Sequence, residues 1–215
     1  MRVYGNREKC YKCYRPKVSC MCKHIIPIET QTKFVILMHP KEFKKVKNGT
    51  GFLTHLSLTN SELFIDVEFS KHKRVNEIIS QYESFVLYPT DDAINISQNN
   101  PKKIQDKKMA IFILDATWSC AKTMLRDSAN LQKLQTISFD LGRKSMFEIK
   151  EQPEEFCLST IESTLSVLEN IDRLDLENIG NDAKANFLNP FFKMIEYQKQ
   201  RIEQSLGSFI RYKQR

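Results

Sequence analysis

The sequence predicts an α/β domain built on a largely parallel sheet flanked by helices, preceded by a small cysteine-bearing arm. Three observations predict it. Short apolar runs alternate with helical stretches through residues 33–170, the pattern of a parallel sheet with crossover helices. Four cysteines fall within the first 22 residues, in a stretch too polar to be a core strand. The 215 residues, 41% hydrophobic and 27% charged, suffice for one domain with a real core and a small appendage. The expected division is residues 1–30 as the arm and 31–215 as the main domain with C-terminal helices.

Residues 1–30 read as loop, with Pro16 and Pro27. "KFVILM" (33–38) has the content of a buried strand and stops at His39-Pro40. "TGFLTHLSLTN" (50–60) reads as a short helix with Thr50 as N-cap and Leu53 and Leu56 one turn apart. "ELFIDV" (62–67) is the second strand and "RVNEIISQY" (74–82) a helix. "FVLYP" (85–89) is a third strand, ended by proline, and residues 90–108 are a polar, lysine-rich surface loop. "MAIFILD" (109–115) is a fourth strand, "TWSCAKTMLRDS" (117–128) a helix, and "LQTISFD" (134–140) a fifth strand. "LSTIESTLSVLEN" (158–170) opens with a capping box, Ser159 and Glu162, followed by the stripe Ile161, Leu165, Leu168. The tail (185–206) is an amphipathic helix or pair, broken near Pro190.

The net charge of +7 and a pI near 9.0 suit a polyanionic partner, and equally a merely soluble basic protein. "KEFKKVKN" (41–48), "KHKR" (71–74), "KK" (102–103 and 107–108) and "RYKQR" (211–215) are the dense stretches. No apolar run approaches the roughly 18–20 residues that span a bilayer. "MRVYGNREKC" has no apolar h-region, so a cytoplasmic location is expected. Thiols there seldom stay as disulfides.

Cys10, Cys13, Cys20 and Cys22 are spaced C-x2-C-x6-C-x-C. A C-x2-C pair can grip one metal from a tight turn, and four thiolates suit tetrahedral zinc. A short arm with no core of its own would take its folding energy from the metal. An iron–sulfur cluster and free or redox thiols are the alternatives, with His24 a near substitute ligand. Cys120 and Cys157 read as buried small hydrophobes.

In open sheets ligands gather at the carboxyl ends of strands, and two strands end in reactive residues: "HPKE" (39–42) and "DATW" (115–118). Taken singly, each has an ordinary explanation. Asp115 is a helix-terminus group or a functional carboxylate. Trp118, the only tryptophan, is core packing or a stacking ring. Thr117 caps a helix. His39 is structural or contacts a ligand, and Ser159, Thr160 and Glu162 are a cap or an anion-binding helix start. The chain has no GxGxxG, GxxxxGK[ST] or HExxH, which removes support for Rossmann, P-loop and metalloprotease chemistry.

Together, and in order, these stretches resemble the DTW-domain family, named for Asp-x-Thr-Trp. The resemblance joins the four cysteines with "RP" (15–16), "LMHPKE" (37–42), "NGTG" (48–51), "LYP" (87–89), "DATW" (115–118) and "FEIKEQPEEFCLSTIES" (147–163), covering roughly residues 10–170. It implies a fold related to the knotted SPOUT methyltransferases. It implies transfer of the 3-amino-3-carboxypropyl group of S-adenosyl-L-methionine to N3 of a uridine in tRNA, releasing 5′-methylthioadenosine. Asp115, Thr117 and Trp118 would be catalytic. Leu87, Tyr88, Pro89, Lys150, Ser159, Thr160 and Glu162 would hold the donor. His39, Lys41, Lys44, Lys45, Lys47, Lys71, Arg74 and Arg143 would face tRNA, and Zn2+ would sit on Cys10, Cys13, Cys20 and Cys22. Lys150 stands where the family usually has arginine; it keeps the charge but loses the bidentate fork, and Arg143 is a nearby alternative. Two other functions compete with this one: a SPOUT-like RNA methyltransferase and a non-catalytic zinc-bearing RNA-binding protein.

Overall fold

The computed structural model describes residues 8–44, 48–102, 107–140, 142, 144–147 and 158–206. Its centre is a six-stranded sheet in which every neighbouring pair runs parallel. The strands are β1 (Lys33–Met38), β2 (Ser61–Ile65), β3 (Glu83–Leu87), β4 (Ile94–Asn95), β5 (Met109–Asp115) and β6 (Gln135–Ser138). Their order across the sheet is β2-β1-β5-β3-β6-β4. The helices are α1 (Pro40–Lys44), α2 (Gly51–Leu56), α3 (Lys73–Gln81), α4 (Trp118–Asp127), α5 (Thr160–Arg173), α6 (Asn181–Asn186) and α7 (Asn189–Leu206).

Side chains alternate across a strand, and here both faces are covered. Phe34 and Ile36 of β1, with Ile111 and Ile113 of β5, pack into a core with Leu53 of α2, Ile161, Leu165 and Leu168 of α5, and Phe187, Phe191 and Met194 from the C-terminal helices. Val35, Leu37 and Phe112 point the other way, onto Val75 and Ile78 of α3 and Met124 of α4. Central strands that are apolar on both faces explain why the sequence runs at 33–38 and 109–115 are continuous rather than alternating. Lys33 is the exception: 8% exposed, it pairs with Glu62 of the edge strand at 3.0 Å. None of the helices among the described residues is long and apolar enough to cross a membrane.

Several expectations shift by a residue or two, and three differ in kind. Thr50 precedes α2 but makes no side-chain cap bond, because its backbone is already in the αR region, where the Ncap hydroxyl does not reach forward. The tail is a pair, as expected: α6 ends at Asn186 and α7 begins at Asn189, with Pro190 in its first turn, where a missing N–H costs nothing. The loop 90–108 contains the two-residue strand β4, too short for a periodicity signal. The short helix α1, directly after β1, was not expected either.

The connections place the site. From β1 the chain passes through α2, on one face, to β2 at one edge. From β5 it passes through α4, on the opposite face, to β6 on the other side. The carboxyl ends of β1 and β5 therefore flank a topological switch point, where loops leave in opposite directions and a crevice opens.

Candidate active site

Asp115 is the last residue of β5 and lies opposite Met38, the last of β1. Its carbonyl accepts a hydrogen bond from the His39 N–H at 3.0 Å, which ties the two strand ends together. The carboxylate is 5% exposed. Oδ1 accepts from the Thr160 hydroxyl at 2.5 Å. On its other side stands Gly51: a Cβ placed there would lie 2.3 Å from Oδ2. Glycine is needed at that position because the backbone itself approaches the carboxylate. Asp115 is thus held between the first residues of α2 and α5, where a helix N-terminus favours negative charge.

Beside it, across the ends of β5, β3 and β6, lies a mainly apolar cavity. Leu87, Ile113 and Ile137 are among its apolar walls, Tyr88 and Pro89 lie after β3, and Ser138, Thr160 and Ser163 add hydroxyls. Thr160 belongs to both features: it lines the cavity and binds Asp115, which itself stands one step behind the wall. Trp118 also lines the cavity but is half exposed, its ring edge-on to Tyr88 with centroids 5.9 Å apart. Core packing, the ordinary role for a lone tryptophan, is therefore not its role here. Thr117 is exposed and caps α4, its hydroxyl accepting from the Cys120 N–H at 3.4 Å.

The structure thus brings Asp115, Trp118, Leu87, Tyr88, Pro89 and Thr160 together. Ser159 and Glu162 stand behind. Glu162 is fully buried and accepts from Met146 N at 2.7 Å, Ser159 N at 2.8 Å, Ser159 Oγ at 2.6 Å and Ser145 Oγ at 3.0 Å. It caps α5 and staples the 145–147 stretch to the helix that carries Thr160. His39 is 8% exposed, and its Nδ1 accepts from the Lys41 N–H at 3.0 Å, capping α1. Lys41 and Lys44 are exposed on α1, and Lys71 is exposed before α3. Arg74 is engaged: Nε and Nη2 clamp Glu62 at 3.0 and 2.8 Å, and Nη1 reaches Glu77 at 3.1 Å. The Arg74 clamp, with Lys33, holds Glu62 down at about 2. Lys45, Lys47, Arg143, Lys150 and Cys157 lie outside the described residues.

Sequence reasoning missed the contact between Gly51 and Asp115, and the contributions of Ser138 and Ser163. "NGTG" was the available signal for the first, since two glycines so close suggest tight backbone approach. Nothing marked the serines before β6 and α5 were placed side by side.

The arm brings Cys10, Cys13, Cys20 and Cys22 together with all four sulfurs within 4.8 Å of one another. Cys10 and Cys22 are 3.7 Å apart, Cys13 and Cys20 3.8 Å. A tetrahedral zinc with Zn–S of about 2.3 Å asks for sulfur–sulfur edges of about 3.8 Å. The set therefore fits zinc without His24. The turn closes because Tyr14 takes a left-handed conformation, φ 58°, and its N–H bonds the Cys10 carbonyl at 2.8 Å. The Cys13 backbone N–H, followed by that of Lys12, favours the Cys10 thiolate and lowers its pKa to about 6 against the effect of burial. A thiol ionised near neutral pH is a ready metal ligand. Burial pushes the Cys13 thiol up.

The family model of the DTW domain matches residues 7–199. A Drosophila melanogaster protein named tRNA-uridine aminocarboxypropyltransferase 2 is 27% identical over 90% of this chain and 76% of its own length. Its namesake from Macaca fascicularis is 25% identical over 90% of this chain and 64% of its own. The Arabidopsis thaliana tRNA-uridine aminocarboxypropyltransferase A is 22% identical over 94% of this chain and 84% of its own. This chain thus spans less than two thirds of the macaque protein. No solved structure matches. With its motif at the strand-end crevice and the family match running through arm and sheet alike, the chain belongs to the DTW-domain family.

Proposed function

We propose that this protein transfers the 3-amino-3-carboxypropyl group of S-adenosyl-L-methionine to N3 of a uridine in tRNA, releasing 5′-methylthioadenosine. The observation that carries the reading is the position of "DATW": it ends β5 at the switch point, beside an apolar cavity with an aromatic mouth, in a chain whose relatives bear that enzyme's name. We also infer that the all-parallel sheet is a relative of the knotted SPOUT scaffold, and that the protein acts in the cytoplasm, where four thiols stay reduced for a metal.

Uridine N3 carries a proton and attacks only as that proton leaves. The geometry supports a two-step path. Thr160 donates its own proton to Asp115 Oδ1, so its oxygen lone pairs are free to face the cavity it lines. As N3 gives its proton to Thr160 Oγ1, Thr160 passes its own to Asp115, and the carboxylate ends protonated. The donor supplies the electrophilic carbon next to its sulfonium; that carbon–sulfur bond breaks as the bond to N3 forms. Tyr88 and Trp118 offer π faces to a sulfonium or a base, and the N-terminus of α5 suits the donor's carboxylate. Lys41 and Lys44, exposed on α1 directly after β1, would hold phosphates, which give affinity and register. Lys71 would add to that charge. Cys10, Cys13, Cys20 and Cys22 would hold zinc, which supplies folding energy to the arm.

The test is a by-product assay with purified protein, S-adenosylmethionine and unmodified tRNA transcripts, read by mass spectrometry. Methylthioadenosine and a uridine heavier by one aminocarboxypropyl group are expected. S-adenosylhomocysteine would instead mark a methyltransferase, and neither product would mark a binding module.

A further inference from the structure

Arg15 sits between the two cysteine pairs, where a solvated lysine or arginine would be ordinary, yet it is 1% exposed. A buried guanidinium needs anions or carbonyls around it. Arg15 Nη2 donates to the Gly49 carbonyl at 2.8 Å and lies 3.0 Å from Met194 Sδ on α7. Burial works against its positive charge, and negative charge on Cys13, Cys20 and Cys22 works for it. Four thiolates on one zinc dication leave about two negative charges beside it. The arm makes a second contact with the same region: the Tyr14 ring lies 4.9 Å from Phe52 on α2 and 5.7 Å from Phe43 on α1.

What the arm touches from outside touches Asp115 on its inner side. Gly49 is two residues from Gly51, whose Cα abuts the carboxylate. Phe43 and Phe52 lie on the helices that follow His39 and Thr50, and His39 bonds the Asp115 carbonyl.

We propose that Arg15 is a positioning residue: set in the arm between Cys13 and Cys20, it holds the Gly49–Gly51 turn by the Gly49 carbonyl, and through that turn fixes the Asp115 carboxylate. The part concerning turnover rests on Asp115 as proton acceptor; the coupling of metal to turn does not. Losing the metal loosens the site from a distance, without removing any group that touches substrate.

The test uses the full chain loaded with zinc, and two variants. Arg15→Met removes the charge at similar size, and Arg15→Lys keeps the charge without the fork. Hydrogen–deuterium exchange is followed before and after zinc removal with 1,10-phenanthroline. Peptides spanning 48–56 are expected to exchange at least tenfold faster without zinc, and in zinc-retaining Arg15→Met, while α4 and β6 stay unchanged. Arg15→Met should lose at least tenfold in kcat with KM for tRNA within twofold, and Arg15→Lys should recover at least threefold of that loss. A change confined to 8–28, a uniform rise across the whole chain, or wild-type kcat in zinc-retaining Arg15→Met overturns the proposal. Should Arg15→Met fail to fold, the wild-type comparison with and without zinc decides alone. If the wild type makes no product but 48–56 still responds to zinc, the function is wrong and the coupling stands.

Discussion

Replacing Gly51 by alanine perturbs the Asp115 carboxylate by a single methyl. The added Cβ would meet Asp115 Oδ2 at 2.3 Å, Asp115 Cγ at 2.7 Å and Met38 Cε at 2.7 Å. Met38 is a flexible side chain and can turn away. Asp115 sits on a strand end that is hydrogen-bonded to its neighbour, so its carboxylate must withdraw by about 0.7 Å to reach the 3.0 Å that real Cβ contacts respect. That movement strains or breaks the 2.5 Å bond to Thr160. Overpacking of this kind costs about 1–3 kcal/mol, and the helix propensity gained from Gly to Ala returns at most about 1 kcal/mol. The net is about 0–2 kcal/mol, or a Tm lowered by up to roughly 6 °C in a domain of this size. Turnover should suffer far more, because misplacing a reacting group by about 1 Å costs on the order of 10²-fold. The assay is methylthioadenosine release from S-adenosylmethionine and tRNA, beside a thermal melt. Gly180→Ala is the control, since a Cβ there meets nothing within 4 Å. A Gly51→Ala protein with kcat within threefold of wild type would refute the idea that the Gly51–Asp115–Thr160 contact sets the chemistry.

Other expectations follow from the same contacts. Glu162→Gln turns one acceptor of a four-donor buried carboxylate into an NH2 group, and should lower stability by about 2–4 kcal/mol, read as a Tm drop of roughly 5–15 °C. Glu62→Gln should cost about 1–2 kcal/mol at neutral pH, discounted because Arg74 is 42% exposed. The Glu62 carboxyl is held at about 2, below the ordinary 4.5, so its contribution is full above about 4.5 and is lost as pH falls through about 2. Denaturant melts of wild type and variant should therefore converge in that window; a gap that persists at the lowest pH would mean Glu62 acts by packing. Trp118→Ala should weaken substrate binding by about 1–3 kcal/mol, seen in KM, whereas Trp118→Phe should keep most of it. Equal KM values for both variants and wild type would remove Trp118 from the binding surface.

The central strands were legible because β1 and β5 are apolar on both faces, and short continuous runs rich in β-branched and aromatic residues mark such strands. Helix α5 was legible because its capping chemistry is written in Ser159 and Glu162. What escaped was short or relational. Helix α1 and strand β4 are five and two residues long, below the length at which a period can be counted. The site was legible as "DATW", but the role of Thr160 was not, since it meets Asp115 across 45 residues of sequence. Arg74 read as a phosphate contact because it stands in a dense basic stretch of a chain that resembles a tRNA-acting family; the placement of β2 against α3 adds the carboxylates that engage it.

The strand order bears on how the chain matures during synthesis. Of the five neighbouring pairs among the described residues, only β1–β2 joins consecutive strands; β3 has both its partners, β5 and β6, later in the sequence. A nascent chain can therefore form little beyond the β1–β2 pair until Met109–Asp115 has left the ribosome, because β5 is the strand that brings β1 and β3 into one sheet. Such non-local assembly is slow, as loop closure precedes any reward from pairing. Asp115 is the final residue of that strand, so the sheet is joined and the carboxylate delivered in one event, and a ribosome pausing before residue 109 would expose two unpaired strand edges to aggregation.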